Sequence, residues 1–308
     1  MNERTAPRSI EQYLAALRAA LAGEDPALIQ DALYDAEEYL RAEVAANPGR
    51  SESDTLELIA STYGAPEEVA EAYRTTEKQV RTALAPPTRK PPRTALGRFF
   101  GVYGDSRTWT ALFYMLLAMV TGIFYFTMTV TGLSISAGLL VLIVGIPFFL
   151  LFVGFTRVLA LAEGRLVEGL LGQRMPRRPL YPAKGVPIFE RIKQMLADRR
   201  TWTTMFYFLL MLPLGILYFV IVVTGICLGI GLIGGSIATL LMAAGLVDGG
   251  MTMGDHGIIW GPSPLAAPFV LAFGVFLLTG VMHLIRAIGR GHGTLAKHLL
   301  VARADGAG

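Results

Sequence analysis

The chain has 308 residues, of which 53% are hydrophobic and 17% are charged, with a mean hydropathy of +0.50 and a net charge of +3. A soluble globular protein carries about 25% charged residues, and here residues 109–156 and 202–247 contain no Asp, Glu, Lys or Arg. Such runs exceed the roughly 20 residues that cross a bilayer, which excludes a soluble protein and predicts a multi-spanning membrane protein.

The first 77 residues differ from the rest, because they are rich in Glu and Arg and show helical periodicity. Apolar residues recur at spacings of three and four from Ile10 to Leu21, as on the buried face of an amphipathic helix. Asp25 is a typical N-cap, and Pro26 fits the first helical position after it. Residues 8–77 are therefore predicted to form a small bundle of four short helices.

Two segments of this module, YDAEEYLRAEV (34–44) and ELIASTYGAPEEVAEAYR (57–74), resemble the HAAS domain. HAAS domains are helical modules at the N-terminus of bacterial membrane proteins, often beside PadR-type transcriptional regulators. The resemblance covers 8–77. It implies docking to a signalling or regulatory partner, and it implies no catalytic residues.

Residues 78–104 are predicted to be a basic linker, stiffened by the pairs Pro86-Pro87 and Pro91-Pro92. The basic residues Arg89, Lys90, Arg93 and Arg98 favour a position on anionic lipid headgroups, at about 1 kcal/mol for each residue near the surface.

The apolar region that follows predicts four membrane spans, near 110–131, 135–156, 203–224 and 267–285. A tight turn is expected at Gly132-Leu133-Ser134, and a kink at Gly145-Ile146-Pro147.

Residues 226–245 are apolar enough to form a fifth span. Lys and Arg are frequent between residues 157 and 200 and recur in the tail, and they are absent from 202–285. Because positive residues stay cytoplasmic, both termini are expected inside, which requires an even number of crossings. The charge pattern favours a re-entrant or oblique segment over a fifth span, and the fifth span stays open as the alternative.

The sequences DSRTW (105–109) and DRRTW (198–202) indicate an internal repeat. Many residues match at a shift of 93, and after the second span the segments 157–172 and 286–301 match at a shift of 129. The two predicted copies, 105–172 and 198–301, are expected to be parallel. The second copy carries a 36-residue insertion around 226–265.

Each copy is expected to begin with interfacial anchors and to end in an amphipathic helix on the inner face. The repeated Trp and Tyr residues suit an interfacial aromatic belt, and each Asp is expected to cap its helix. The predicted anchors are Asp105, Arg107, Trp109, Asp198, Arg200 and Trp202. The charged residues Arg157, Glu163 and Arg165 are expected on the solvated face of the first amphipathic helix.

The motifs DSRTW, RVLALAEGRLVEGLLG (157–172) and DRRTW resemble, in this order, the "Putative sensor" membrane domain of actinobacterial histidine kinases. The resemblance covers about 105–302 and implies a sensing role. Because 23 residues follow Ile285, no kinase domain is expected.

The predicted outer loop holds the candidate sensing residues Asp248, Asp255, His256 and Trp260. A carboxylate beside a histidine can bind a cation or titrate near neutral pH, but a solvated loop is the simpler interpretation. The chain shows no P-loop, HExxH, CxxC or GxSxG motif. It therefore predicts no enzyme activity, no cofactor and no metal.

The sequence thus predicts an all-α protein of the bacterial inner membrane with three parts: a cytoplasmic module (1–77), a linker (78–104) and a four-span membrane domain (105–302). Its expected role is that of a sensor or signalling adaptor. The expected partners are the lipid bilayer and a cytoplasmic protein that binds 8–77, with no direct binding of nucleic acid. The alternative functions are a transporter or channel and a structural subunit that anchors another membrane protein. Association with further copies of the same chain, as a homo-oligomer, is left open.

Overall fold

The computed structural model describes residues 7–84, 94–139, 145–178, 190, 193, 196–247 and 263–301. Every regular element in these ranges is a helix. An all-α fold with an N-terminal helical part and a polytopic membrane domain is therefore confirmed.

The N-terminal module contains four helices: α1 (Ile10–Ala20), α2 (Pro26–Ala46), α3 (Glu52–Thr62) and α4 (Pro66–Leu84). Ser9, Asp25 and Ser51 cap the first three, since each side chain accepts a hydrogen bond from a backbone N–H of the first turn. The core that they enclose includes the fully buried side chains Tyr13, Leu17, Leu21, Leu40 and Leu56. Helix α4 extends beyond residue 77 into the predicted linker.

The membrane domain begins with the short helix α5 (Ala95–Phe100) and a 3-10 turn (Gly101–Gly104). The long helices are α6 (Ser106–Leu139), α7 (Gly145–Leu166, followed by a π-helical turn at Val167–Leu171), α8 (Arg199–Ala243) and α9 (Ala267–Leu300). Within the described residues, four helices, with the π turn counted in α7, are long and apolar enough to span a membrane.

The prediction of a re-entrant segment at 226–245 is wrong. Residues up to Ala243 continue α8, which is one helix of 45 residues, about 65 Å at 1.5 Å per residue. Gly225 and Gly229 do not break this helix; they lie close to Val281 and Leu278 of α9. Packing against α9 therefore outweighs the weak helix propensity of glycine, about 1 kcal/mol per residue, and no separate fifth span forms.

Two local predictions also differ from the structure. The expected turn at 132–134 lies inside α6, where Gly132 makes room for the ring of Phe152. The expected kink at 145–147 is the first turn of α7, where proline is well tolerated because its missing N–H has no helical partner.

The amphipathic segments that were expected as separate helices on the inner face are not separate. Residues 157–166 form the C-terminal part of α7, and 286–300 form that of α9. Each is therefore continuous with the apolar helix before it.

Helices α6 and α8 approach each other most closely at two glycines. A Cβ atom on Gly122 would lie 2.5 Å from the carbonyl oxygen of Met211, and one on Gly215 would overlap the carbonyl oxygen of Ala118. The shift of 93 relates Ala118 to Met211 and Gly122 to Gly215, so the two contacts are equivalent.

The contacts between α6 and α8 run in opposite directions along the two helices: Ala118 with Gly215, Gly122 with Met211, and Tyr125 stacked on Phe208. The helices are therefore antiparallel over this contact. This packing differs from the expectation of parallel copies, because the glycines allow the two backbones to touch in this register.

Candidate functional site

The site is a group of six polar side chains in the middle of the four-helix bundle, which we call the Glu–His cluster. None is more than 6% exposed. It comprises Tyr114 and Tyr125 of α6, Glu163 of α7, Tyr207 and Tyr218 of α8, and His292 of α9.

Glu163 accepts hydrogen bonds from three tyrosines. Its Oε1 atom lies 2.6 Å from the hydroxyl of Tyr114 and 2.9 Å from that of Tyr207. Its Oε2 atom lies 3.0 Å from the hydroxyl of Tyr125. Such a set of donors is what a carboxylate requires when it is removed from water.

His292 contacts three tyrosines in the same manner. Its Nε2 atom lies 2.6 Å from the hydroxyl of Tyr114 and 3.0 Å from that of Tyr207. Its Nδ1 atom lies 3.0 Å from the hydroxyl of Tyr218. The Tyr114 and Tyr207 hydroxyls thus lie between the carboxylate and the imidazole.

The two predicted copies supply equivalent halves of this cluster. The shift of 93 relates Tyr114 to Tyr207 and Tyr125 to Tyr218, and the shift of 129 relates Glu163 to His292. Each copy therefore contributes two tyrosines and one further polar group, a carboxylate from the first copy and an imidazole from the second.

Local sequence explains why these side chains point inward. Tyr114 and Tyr125 are eleven residues apart, about three helical turns, so they share one face of α6. Gly164 follows Glu163, and a Cβ atom there would lie 3.5 Å from Met175. Gly293 likewise follows His292, and a Cβ atom there would lie 2.5 Å from Gln173. The chain after α7 folds back through these two gaps and covers the cluster.

Two sequence predictions for these residues are wrong. Glu163 was expected on a solvated helix face, but it is 0% exposed. The tyrosines were expected in an interfacial belt, but they lie in the core. One signal in the sequence could have identified the cluster: the shift of 129 aligns Glu163 with His292. Ionisable residues in membrane helices usually face the interior of the bundle, so this aligned pair predicts that both side chains are buried.

The predicted anchor residues form two equivalent ion pairs between the copies. Asp105 binds Arg286 at 2.8 Å, and Asp198 binds Arg157 at 3.0 Å. Each Asp also accepts a hydrogen bond from the backbone N–H of the second residue after it, Arg107 or Arg200.

Trp109 and Trp202 lie on the surface, about half exposed. Each indole N–H donates to a backbone carbonyl six residues earlier, that of Tyr103 and that of Leu196. Arg165 donates to the carbonyl of Arg177. The positions of all these side chains at a membrane interface stay a prediction.

The candidate sensing residues Asp248, Asp255, His256 and Trp260 lie outside the described residues. His283, which the sequence placed near the end of the last span, donates from Nε2 to the carbonyl of Phe99 at 2.9 Å.

The N-terminal module docks on the membrane domain through one buried carboxylate. Asp31 Oδ2 lies 2.8 Å from the guanidinium of Arg174, and Oδ1 accepts the backbone N–H groups of Arg177 and Arg178 at 2.7 and 2.8 Å. Burial raises the pKa of Asp31 above its ordinary value, and the hydrogen bond from Arg178 and the charge of Arg174 oppose that rise.

Further contacts surround this carboxylate. Gln30 donates to the carbonyl of Arg178 and accepts from Arg200. Among the described residues, further ion pairs between the module and the membrane domain are Asp25 with Lys297 (2.6 Å), Asp35 with Arg178 (3.1 Å) and Glu77 with Arg174 (3.3 Å). Acidic residues of the module thus meet basic residues that follow α7 or lie on α9.

Four membrane-length helices around a buried ionisable cluster, joined to a docked helical module, define a polytopic α-helical membrane protein. The chain belongs to the family described as "Putative sensor", which matches residues 114–300, more than half of its length. This range includes all six residues of the Glu–His cluster. No curated protein and no solved structure matches the chain.

Proposed function

We propose that this protein is a non-catalytic membrane sensor that relays a change in its helical bundle to a cytoplasmic partner through the N-terminal module. One observation carries the proposal: Asp31 of the module is bound by Arg174, Arg177 and Arg178, which directly follow the helix that holds Glu163. Membership of the sensor family supports the same role.

Two covalent paths lead from the Glu–His cluster to the module. From Glu163 the chain reaches Arg174 in eleven residues, through the end of α7 and the π turn. His292 lies five residues before Lys297, which binds Asp25. A shift of α7 or α9 in the membrane would therefore displace the residues that hold α2.

The proposed orientation places the module and both chain ends in the cytoplasm of a bacterium, in agreement with the distribution of Lys and Arg. The resemblance of 8–77 to HAAS domains favours a regulatory partner such as a PadR-type protein. The stimulus is proposed to act at the outer loop or within the bilayer, as envelope stress or altered lipid packing.

Hydrogen exchange of the full chain in nanodiscs tests the relay. Nanodiscs that differ in lipid thickness or anionic lipid content should change the exchange of α2 amides in the wild-type protein, since the bundle sets the docking of α2. The variant Asp31→Asn should expose α2 under all conditions. Asp54→Asn, an exposed site on α3, is the matched control and should respond like the wild type. Identical α2 exchange in every lipid would contradict the proposal.

Transport is a second candidate, and the buried Glu163–His292 pair is the observation that favours it. Ionisable residues inside a membrane bundle often mark proton or ion paths. Proton flux into liposomes that is lost in Glu163→Gln would support a transporter, and a flux equal to that of empty liposomes would exclude it.

A further inference from the structure

The inner four atoms of the Glu–His cluster form a closed ring. Its members are the hydroxyl oxygens of Tyr114 and Tyr207, Oε1 of Glu163 and Nε2 of His292. The four sides of the ring measure 2.6, 2.6, 2.9 and 3.0 Å. Each side joins a tyrosine to either the carboxylate or the imidazole, so the tyrosines lie at opposite corners.

Two-centre hydrogen bonds account for three of the four sides. An imidazole nitrogen carries either one N–H or one lone pair in the ring plane, so Nε2 of His292 can make one well-directed hydrogen bond. It nevertheless faces two hydroxyls, at 2.6 and 3.0 Å. One of these short contacts has no proton of its own.

A cation at the centre of the ring explains all four sides together. Four ligand atoms at about 2.0 Å from a metal, arranged as a square, are about 2.8 Å from their neighbours, close to the observed sides. The lone pair of Nε2 would then point to the metal rather than to either hydroxyl.

The outer two tyrosines hold the far atom of each ligand. Tyr125 donates to Oε2 of Glu163, and Tyr218 contacts Nδ1 of His292, both at 3.0 Å. Metal-binding histidines and carboxylates are commonly oriented in this way by a second ring of hydrogen bonds.

We propose that the ring of Tyr114, Glu163, Tyr207 and His292 binds one trivalent metal ion, with ferric iron as the best fit. Phenolate and carboxylate oxygens are hard anionic ligands, and imidazole suits iron. One Fe³⁺ with two phenolates and one carboxylate has no net charge, which the apolar interior of the bundle requires. Binding releases two protons, one from each phenol, and involves no change of oxidation state.

The site differs from common metal clusters in its ligand types. No group of three or more His, Cys, Asp or Glu residues that could hold a metal occurs in the described ranges. Two of the four ligands proposed here are tyrosines, and they come from both copies of the repeat, as in metal sites at the centre of helical bundles.

Iron loading of the purified full chain in detergent tests the proposal. The protein is treated with a chelator, loaded with ferric nitrilotriacetate, desalted and assayed for iron by elemental analysis. We expect one iron per chain, a visible phenolate-to-iron absorption band, and release of two protons per iron in weak buffer. Iron below one-tenth of an ion per chain, or iron without the band, would overturn the proposal.

Single Tyr→Phe variants distinguish the ring from its surroundings. Tyr114→Phe and Tyr207→Phe each remove a ligand and should abolish or strongly reduce the band. Tyr125→Phe and Tyr218→Phe remove a hydroxyl from the same cluster without removing a ligand. They should keep the band, with affinity reduced about 10–100-fold. Equal iron binding by all four variants would refute the site.

The wild-type protein alone provides a second measurement if the ring variants do not fold. A ligand that binds only the native state stabilises it by an amount that grows with the logarithm of the ligand concentration, and so raises Tm. Iron should therefore raise Tm of the wild type while Mg²⁺ at the same concentration does not. No iron-dependent shift would count against the proposal without use of any variant.

Discussion

Glu163 and His292 occupy equivalent positions of the two copies and share the hydroxyls of the same two tyrosines. The first predicted copy thus has a carboxylate where the second has an imidazole. The tyrosines around them are present at the corresponding positions of both copies. The two positions that the shift of 129 relates therefore carry two different ionisable groups.

Removal of the carboxylate should destabilise the whole bundle. Glu163→Ala leaves the hydroxyls of Tyr114, Tyr125 and Tyr207 without their acceptor in a buried site, so we expect a loss of about 3–5 kcal/mol in the free energy of unfolding. Glu57→Ala, on the exposed face of α3, should change it by less than about 0.5 kcal/mol. Denaturant unfolding in detergent, followed by circular dichroism, measures both. Equal stabilities would show that the cluster does not support the fold.

The glycines at the crossing of α6 and α8 should not tolerate a side chain. Gly122→Ala places a Cβ atom 2.5 Å from a backbone carbonyl that cannot rotate away, so we expect a loss of about 3 kcal/mol, the upper end for overpacking. Gly231→Ala, where a Cβ atom meets nothing within 4 Å, should be neutral or stabilising, since alanine favours the helix. Thermal unfolding of the two variants compares the sites directly. A neutral Gly122→Ala would contradict the close approach.

The ion pairs between the copies should be specific and weak. Asp105 and Arg286 are partly exposed, so a double-mutant cycle of Asp105→Asn and Arg286→Gln should give a coupling energy of about 0.5–1 kcal/mol. Asn is chosen because it still caps the helix. Asp105→Asn combined with Arg157→Gln should show additive effects, because Arg157 pairs with Asp198 instead. Coupling in the second cycle would mean that the pairs are not those described.

The docking contact between Lys297 and Asp25 should contribute to the rigidity of the module. Lys297→Gln removes one partner of a largely buried carboxylate, that of Asp25, which should loosen α2 without unfolding it. Limited proteolysis should then cut the module faster than in the wild type, by a few-fold for each kcal/mol of lost docking energy. Arg290→Gln, on the exposed side of the same helix, should leave the cleavage rate unchanged. A faster rate in both would indicate general destabilisation of α9.

The proposed orientation can be tested by cysteine labelling. In a Cys227→Ser background, Leu246→Cys, at an exposed position after α8, should react with an impermeant reagent added to intact cells. Glu11→Cys in the module should react only after the membrane is opened. Labelling of both positions in intact cells, or of neither, would contradict the arrangement predicted from charge.

Local signals in the sequence were sufficient for much of the fold. Asp25 followed by Pro26 located the start of α2, and charge-free runs located four membrane-length helices. The ends of these helices were harder to predict from the sequence. A glycine-rich apolar segment such as 226–243 can continue a helix or break it, and its packing on α9 determines which of the two occurs.

The Glu–His cluster was not predicted from the sequence for a different reason. Glu163 has Arg157 and Arg165 as neighbours in sequence, a pattern typical of a solvated helix face, and helical periodicity alone does not show which residues another helix will cover. The partner of Glu163 lies 129 residues later in the chain. Comparison of non-identical residues at equivalent repeat positions would have found it.

If a cytoplasmic protein binds α2 as proposed, the segment after α7 that holds Asp31 competes with it for the same surface. A contact within one chain acts at a high effective concentration, on the order of millimolar for short connections. A soluble protein that recognises the α2 surface around Gln30 and Asp31 must therefore bind the small fraction of molecules in which that surface is free, and its apparent affinity is reduced by that fraction. The combined strength of the contacts around Asp31 would therefore set the affinity that such a protein needs.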